Sequence, residues 1–246
     1  MGVCTSLNKA LAELMREGMI SAFQIKTNSE GHAVLDDHSL RIIVMLWVGR
    51  IDGFDDQWVK EKYGDMSVWD VSAVTNMSGL FSKISWARNE ATSENPCSES
   101  EMERTSAKLE SFNYDLSRWD VSNVTNMDWM FAGCQKFDCD ISKWNVGNVT
   151  SMAQMFYGAS AFNQPLEQWN VGNVTDMMCM FQGASSFNQP LWHWNVGNVT
   201  TMAQMFCNAS AFNQPLQQWD VGHGTNMAHM FDDSAMSTGN KPIGFR

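Results

Sequence analysis

The sequence predicts an α/β repeat fold, a solenoid of the leucine-rich-repeat type, and three observations lead to this prediction. Trp recurs at a spacing of 25 residues, similar residues follow each Trp, and the composition is skewed. The chain of 246 residues contains 19 Met, 11 Trp and 14 Phe, as expected where one short motif has been copied. A period of 25 residues falls within the range of leucine-rich repeats, in which stacked units bury together what one unit cannot bury alone.

Each repeat carries the same series of apolar and small polar residues, and we name each repeat by its Trp. The six tryptophans of the series are Trp69, Trp119, Trp144, Trp169, Trp194 and Trp219, where the first gap is twice the others. The Trp169 repeat then continues with Asn170, Val171, Val174, Thr175, Met177, Met180, Phe181, Phe187 and Leu191. About nine apolar positions per repeat, separated by polar ones, predict short strands joined by turns rather than long helices.

One repeat can be divided into three expected elements. Leu166–Val171 alternates as a short strand would, and parallel strands of successive repeats would then lie about 4.8 Å apart. Met155–Gly158 predicts a tight helical or 3₁₀ turn at the opposite edge. Asn163–Pro165 carries residues typical of a turn that leads back to the strand.

The repeated series Phe-Asn-Gln-Pro-Leu-x-x-Trp-Asn-Val-x-Asn-Val-Thr-x-Met-x-x-Met-Phe-x-Gly-Ala resembles the BspA-type leucine-rich-repeat surface proteins, which include Mycoplasma-type lipoproteins. The resemblance covers residues 64–231 and is specific, because many positions recur together. It implies a right-handed leucine-rich solenoid that binds proteins or cell surfaces and has no catalytic activity. The characterised members of the family are mostly exported.

The chain divides into three predicted regions. Residues 1–63 form a helical N-terminal cap, with helices expected at Ser6–Glu17, His38–Arg50 and Asp55–Tyr63, although His38–Arg50 is apolar enough for a buried strand. Residues 64–231 form the solenoid, with six recognisable repeats and an extra segment at 82–111. That segment is either an inserted loop, which we favour, or a decayed repeat; Ser98 and Glu101 predict a short helix within it. Residues 232–246 form a polar C-terminal tail, expected to be loosely held.

Composition and motifs exclude several classes of function. The net charge of −11 argues against binding nucleic acid through its phosphates, and no apolar run approaches the length of a membrane-spanning helix. The sequence has no Gly-rich phosphate loop, no His-Glu-x-x-His motif and no nucleophile elbow. We therefore predict a protein that is not an enzyme, with no cofactor and no metal site.

The predicted binding surface is the concave face of the solenoid, beside each Trp. The two residues before Trp change from repeat to repeat while the buried positions stay the same, as a recognition surface would. Trp192 is the predicted anchor, and the bound partner would be a protein or a cell-surface polymer. Neutral variation at solvent positions is the other interpretation. The predicted residues are Arg118, Lys143, Glu167, Gln168, Trp192, His193, Gln217 and Gln218.

A structural or ice-binding role is the alternative function, suggested by one Thr per repeat at a fixed spacing. The Asn-Val-Thr tripeptides at Asn123, Asn148, Asn173 and Asn198 match a glycosylation pattern, but we expect their side chains to bond the neighbouring repeat. The six Cys share no common position in the repeat, which favours reduced thiols and an intracellular setting.

The N-terminus suggests a lipid anchor. Met1 to Ser6 fits the pattern for N-myristoylation at Gly2, and Cys4 could carry a second acyl chain. Chance occurrence of Gly2 is the other interpretation. The predicted location is the cytoplasm, with membrane anchoring through Gly2 and Cys4 if they are acylated; a cell-surface or secreted location without a visible signal peptide is the alternative.

Overall fold

The computed structural model describes residues 25–49, 54–83, 99–243 and 245, leaving out the side chains of residues 99–102. The helices and strands there are β1 (Lys26–Thr27), β2 (Ala33–Val34), α1 (Asp37–Trp47), α2 (Asp56–Tyr63) and α3 (Glu99–Glu110). Single 3₁₀ turns lie at Met66–Val68 and Thr238–Asn240. Within these ranges no helix is both long and apolar enough to cross a membrane. Most of the chain after α3 consists of turns.

The N-terminal region forms two of the three expected helices. α1 is a helix and not a buried strand, and it begins with a capping box in which Asp36 and Ser39 bond each other's backbone amides. α2 starts at the N-cap Asp55 and ends at Gly64, whose φ of 80° suits glycine. Ser6–Glu17, expected as the third helix, lies outside the described residues. β1 and β2 pair antiparallel ahead of α1.

α1 closes the first repeat with two charged side chains. Asp37 accepts hydrogen bonds from the backbone amides of Thr75 (2.6 Å) and Asn76 (3.0 Å) and from the Thr75 hydroxyl (2.7 Å). Arg41 donates to the carbonyl of Ser78 at 3.0 Å. In later repeats the corresponding amide bonds the preceding repeat, as Thr150 does with the Thr125 carbonyl at 2.8 Å. α1 therefore supplies the bonds that a preceding repeat would otherwise make.

Backbone hydrogen bonds join each repeat to the next along the segment after the Thr. The amides of Met152, Gln154 and Phe156 donate at 2.8–3.0 Å to carbonyls 24 residues later in the chain. Gln154 has a positive φ of 59°, and Cys179, Gln204 and His229 at the same position have φ of 54–58°. This residue is the third of a four-residue turn, which the Met155 amide closes on the Met152 carbonyl at 3.2 Å in the Trp144 repeat. Parallel bridges run through this segment at Asn76, Asn126, Ser151, Asp176, Thr201 and Asn226.

The core consists of like side chains stacked on one another. Phe156 and Phe162 stack within their repeat at a ring distance of 4.1 Å, and Phe156 stacks on Phe181 of the next repeat at 5.4 Å. From Trp119 onward, the Trp of each repeat also donates its indole N–H to the carbonyl three residues before the preceding Trp of the series; Trp169 Nε1 donates to the Ile141 carbonyl at 3.1 Å. Val, Met and Leu of the repeats are buried beside these rings. Successive repeats thus share one continuous core.

The expected strand at Leu166–Val171 does not form. The Trp169 amide instead donates to the Leu166 carbonyl at 3.1 Å and closes a tight turn, which we call the Trp turn. The Leu166 carbonyl also accepts from Trp194 Nε1 at 2.9 Å, so an indole takes an acceptor that a strand ladder would need. The bonds between repeats lie instead along residues 151–158 and their equivalents, which we call the Met-Phe segment, and this segment also forms the turn that the sequence predicted at Met155–Gly158.

The residues on either side of the segment at 82–111 pack together in register. Phe81 donates its amide to the Met130 carbonyl (3.0 Å), so the Trp69 repeat lies directly against the Trp119 repeat. Phe81 and Phe112 stack at 4.2 Å across the excursion, as Phe131 and Phe137 do at 3.9 Å within one repeat. This packing favours the inserted loop over a decayed repeat. The helix expected within the segment forms as α3 and buries Leu109.

The C-terminal tail is attached to the last repeat and is not loosely held. Ser237 donates its amide to Asn213 Oδ1 at 2.9 Å, and Leu216 donates its amide to the Asn240 carbonyl at 2.8 Å. Phe245 packs edge-on against Phe231 at 5.0 Å. Asn240 donates its side-chain amide to the Asn213 carbonyl, as Gln214 does to the Asn188 carbonyl. The tail therefore makes the contacts that the Asn-Gln-Pro segment of a further repeat would make. Its polar composition concealed this role.

Candidate functional site

The eight predicted binding residues fall at the two central positions of successive Trp turns, and we call the surface that they form the Trp-turn face. Trp194 Nε1 bonds the Leu166 carbonyl and Trp219 Nε1 bonds the Leu191 carbonyl, both at 2.9 Å, so consecutive Trp turns are neighbours. The face is exposed at Arg118, Lys143, Gln168, Trp192, His193 and Gln218, and half-buried at Glu167 and Gln217.

Trp192 is the main apolar group of this face. Its exposed fraction of 40 % contrasts with 3 % for Trp169 and Trp194, which belong to the repeated series. Its ring lies against the His193 ring, with centroids 3.3 Å apart. Large aromatic side chains with partial exposure are frequent anchors in binding surfaces. The structure thus leaves Trp192 available where the sequence placed an anchor.

Gln217 is less available than the sequence suggested. Its side-chain amide donates to the Gly239 carbonyl and lies 3.4 Å from Asn240 Oδ1, so the tail holds it. Of the two predicted residues before Trp219, Gln218 is therefore the one whose side chain is available to a partner, and it is exposed.

A strip of asparagines runs beside the Trp-turn face and was not among the predicted site residues. Asn145, Asn170 and Asn195 follow the buried Trp in three consecutive repeats, and all are exposed. Each Oδ1 accepts the amide of the glycine two residues later at 3.2 Å. Within the described ranges the side-chain nitrogens have no hydrogen-bond partner. The signal in the sequence was the constant Asn or Asp after each Trp of the series.

An open cleft of about 520 Å³ lies at the end of this face. Gln217 and Gln218 line one side, and Asp220, His223 and Thr225 add polar groups. Its apolar lining comes from Trp219, Val221, Met227 and Ile243. The volume is in the range of small-ligand sites. The sequence did not predict this cleft because it depends on how the tail covers the last repeat.

A smaller cavity of about 160 Å³ lies between α2 and the first repeats. The charged groups at its border are paired with one another; Lys60 contacts Asp65 at 2.9 Å, and Lys108 contacts Asp56 at 3.3 Å. The hydrogen bond from Lys60 lowers the pKa of Asp65. Lys108 also lies 4.5 Å from the centre of the Trp47 ring and donates to the Trp47 carbonyl. The contacts of Lys108 attach α3 to α1 and α2. Because Asp56, Lys60 and Asp65 are all paired, the described residues at the border of the cavity offer a ligand no unpaired charge.

The Asn-Val-Thr tripeptides have the architectural role that we predicted. Asn148, Asn173 and Asn198 donate their side-chain amides to backbone carbonyls of the preceding repeat at 2.7 Å, and Asn123 does so at 2.8 Å. The Thr hydroxyls also donate to the preceding repeat, as Thr175 does to the Thr150 carbonyl at 3.1 Å. Both side chains therefore tie repeats together.

Cys134, Cys139, Cys179 and Cys207 are free thiols. Cys134 is fully buried, in line with its predicted place as a small core residue, and burial raises the pKa of its thiol. Within the described ranges no group of His, Cys, Asp or Glu could hold a metal ion. Cys97 and the predicted acylation sites, Gly2 and Cys4, lie outside those ranges.

Comparison with known proteins identifies a family. Its model is described as "Mycoplasma protein of unknown function, DUF285", and it matches residues 52–151 and again residues 139–243. No curated protein and no solved structure matches the chain. The two matches agree with a repeat protein of Mycoplasma type, as the recurring series suggested. Together they cover more than half of the sequence, so this chain belongs to the DUF285 family.

Proposed function

We propose that this protein is a leucine-rich-repeat solenoid of the BspA type that serves as a non-enzymatic binding scaffold. The partner is a protein or a cell-surface polymer, held on the Trp-turn face around Lys143, Gln168, Trp192, His193 and Gln218. The fold proposal is supported by bonds between equivalent positions of successive repeats, such as Thr175 to Thr150. Such stacks present extended surfaces on which several repeats contact one partner.

One observation carries the binding proposal. The buried positions hold the same residue types in successive repeats, whereas no two repeats have the same pair of central residues in the Trp turn. One of these variable residues is Trp192, whose large side chain stays partly exposed. Burying such a side chain against a partner contributes more binding free energy than most polar contacts do.

The test compares Trp192→Ala with Met178→Ala in binding to cell extracts and to intact cell surfaces. Met178 is the matched control because its exposed fraction of 37 % is close to that of Trp192, while it belongs to the Met-Phe segment. We expect partner binding to weaken about tenfold or more in Trp192→Ala, as for a central anchor, and to remain within about twofold in Met178→Ala.

Unchanged partners in Trp192→Ala would contradict the proposal. The alternative, a structural or ice-binding solenoid, predicts inhibition of ice recrystallisation by dilute protein, equal in the wild type and in Trp192→Ala. Measured in parallel, the two assays distinguish recognition of a macromolecule from binding of water or ice.

A further inference from the structure

We propose that the Trp-turn face, together with the asparagine strip beside it, binds an extended neutral polysaccharide with β-linked sugars. This inference rests on the proposed function, since it names the class of partner that the face accepts. Four features lead to it: the few charged side chains, the hydrogen-bond donors of the asparagines, the glycines two positions after them and the distance between successive repeats.

Charged side chains are few along the middle of this surface and have both signs, although the chain has a net charge of −11. From residue 141 to residue 216 the charged side chains are Lys143, Glu167 and Asp176. A polyanion or a basic peptide would need a surface of opposite charge. A neutral partner that is rich in hydroxyl and amide groups needs hydrogen bonds instead.

The asparagine strip supplies those hydrogen bonds in a fixed direction. The Oδ1 atoms of Asn145, Asn170 and Asn195 are occupied by backbone amides, which fixes the orientation of each side chain. The remaining NH₂ groups are donors at equivalent positions of three successive repeats. Sugar hydroxyls, ring oxygens and acetamide carbonyls all accept such bonds. Gln168, His193 and Gln218 add polar groups along the adjacent edge.

The same three repeats also lack a side chain two positions after each Asn. Gly147, Gly172 and Gly197 occupy this position, whereas Ser72 and Ser122 occupy it in the Trp69 and Trp119 repeats, where Asp replaces Asn. A Cβ at Gly147 would lie 3.2 Å from Asn145 Oδ1 and 3.6 Å from Asn170 Nδ2, so glycine leaves room for the asparagines of the same repeat and of the next. The Asn-x-Gly pairs therefore distinguish the strip from the Asp-x-Ser pairs of the two repeats before it.

The spacing of the strip suits an extended sugar chain. Paired segments of successive repeats lie about 4.8 Å apart, and a β-1,4-linked chain advances by nearly the same distance per sugar. Neighbouring sugars of such a chain face opposite ways, so each repeat would meet one sugar and every second repeat would meet a sugar of the same orientation. Trp192 offers the flat apolar surface on which the C–H face of a pyranose ring stacks. The cleft beyond Gln218 receives the end of the chain.

The test measures binding of hexamers of β-1,4-linked N-acetylglucosamine and of β-1,4-linked glucose by calorimetry, with the dimers and heparin as comparisons. The informative variant is Asn170→Asp, which keeps the oxygen that caps the turn and removes the NH₂ donors. Asp120 makes this turn naturally, accepting the Ser122 amide at 3.0 Å, so the variant retains the fold. Asn188→Asp is the control, because Asp138 fills the equivalent place and accepts the Asn163 amide at 2.8 Å.

We expect at least one hexamer to bind, and the corresponding dimer to bind at least tenfold more weakly. Asn170→Asp and Trp192→Ala should weaken hexamer binding about tenfold or more, and Asn188→Asp by less than about twofold. No binding of either hexamer, preference for heparin, or equal weakening in Asn188→Asp would overturn the inference. If the hexamers fail but a macromolecule still binds in a Trp192-dependent way, this inference falls and the proposed function stands.

Discussion

The buried Trp of each repeat combines two roles at the residue scale. Its ring fills the core, and its indole nitrogen bonds a carbonyl of the preceding repeat, as Trp169 does with Ile141. Trp192 and Trp194 show how strongly position decides this role, because they are two residues apart and differ in exposed fraction from 40 % to 3 %. A Trp can therefore be assigned to the core or to the surface by its place in the repeat.

We predict that Trp169→Phe lowers the free energy of unfolding by about 1–2 kcal/mol. The substitution keeps an aromatic ring in the core but removes the hydrogen bond to Ile141 and part of the buried volume. Trp192→Phe is the matched control, expected within about 0.5 kcal/mol of the wild type because the ring is exposed. Urea unfolding at neutral pH measures both, and equal losses would contradict the assignment of the Trp169 indole as a bond between repeats.

At the scale of elements, α1 matters because of where its first turn lies. Burial raises the pKa of Asp37, but hydrogen bonds from Thr75 and Asn76 and the charge of Arg41 outweigh it, so this pKa is lowered from its ordinary value of 3.8. The lowered pKa means that the ionised carboxylate stabilises the folded state. This stabilisation is complete above the ordinary value and is lost as pH falls through the lowered one.

We expect Asp37→Asn to lower the free energy of unfolding by about 1–2 kcal/mol at neutral pH, since charge-assisted bonds to two amides become neutral ones. The difference from the wild type should shrink as pH falls below about 4, because unfolding then protonates Asp37, and it should be lost once pH has fallen below the lowered pKa of the folded state. Urea unfolding between pH 3 and pH 7 measures this. The control, Asp220→Asn, changes an exposed carboxylate in the last repeat, and a similar pH-dependent loss there would refute the capping role of Asp37.

At the scale of the whole molecule, the sequence predicted which side chains of successive repeats stack on one another, but not the backbone conformation of the segments that carry them. The spacing of Trp169 and Trp194 identified the repeat, and the helices expected at His38–Arg50 and Asp55–Tyr63 correspond to α1 and α2 apart from their exact ends. The strand was placed in the wrong segment because Leu166–Val171 has strand-like alternation. The Met-Phe segment combines bonds between repeats with turns that place a residue such as Gln154 at a positive φ, and alternation does not reveal this combination.

The candidate site was predictable to the same degree. Variation beside the buried Trp located the Trp-turn face and Trp192, since variable positions can be read from the chain itself. The cleft could not be predicted, because it arises where the tail covers only part of the last repeat. Asn170 was visible in the sequence, but its free amide became apparent only when the turn bond to Gly172 accounted for the oxygen.

If the repeat is the unit of the fold, one complete repeat can be removed without disturbing the others. Deleting residues 170–194 joins Trp169 to Asn195 and leaves every remaining side chain stacked on its equivalents in the other repeats. We therefore expect a cooperative fold with a lower free energy of unfolding and a smaller urea m-value. Deleting residues 170–193 removes one residue fewer but shifts every later column by one position. We expect this second variant to unfold at lower urea concentration than the first, because its polar residues then face the core. Equal midpoints for the two deletions would show that the 25-residue register does not determine the fold.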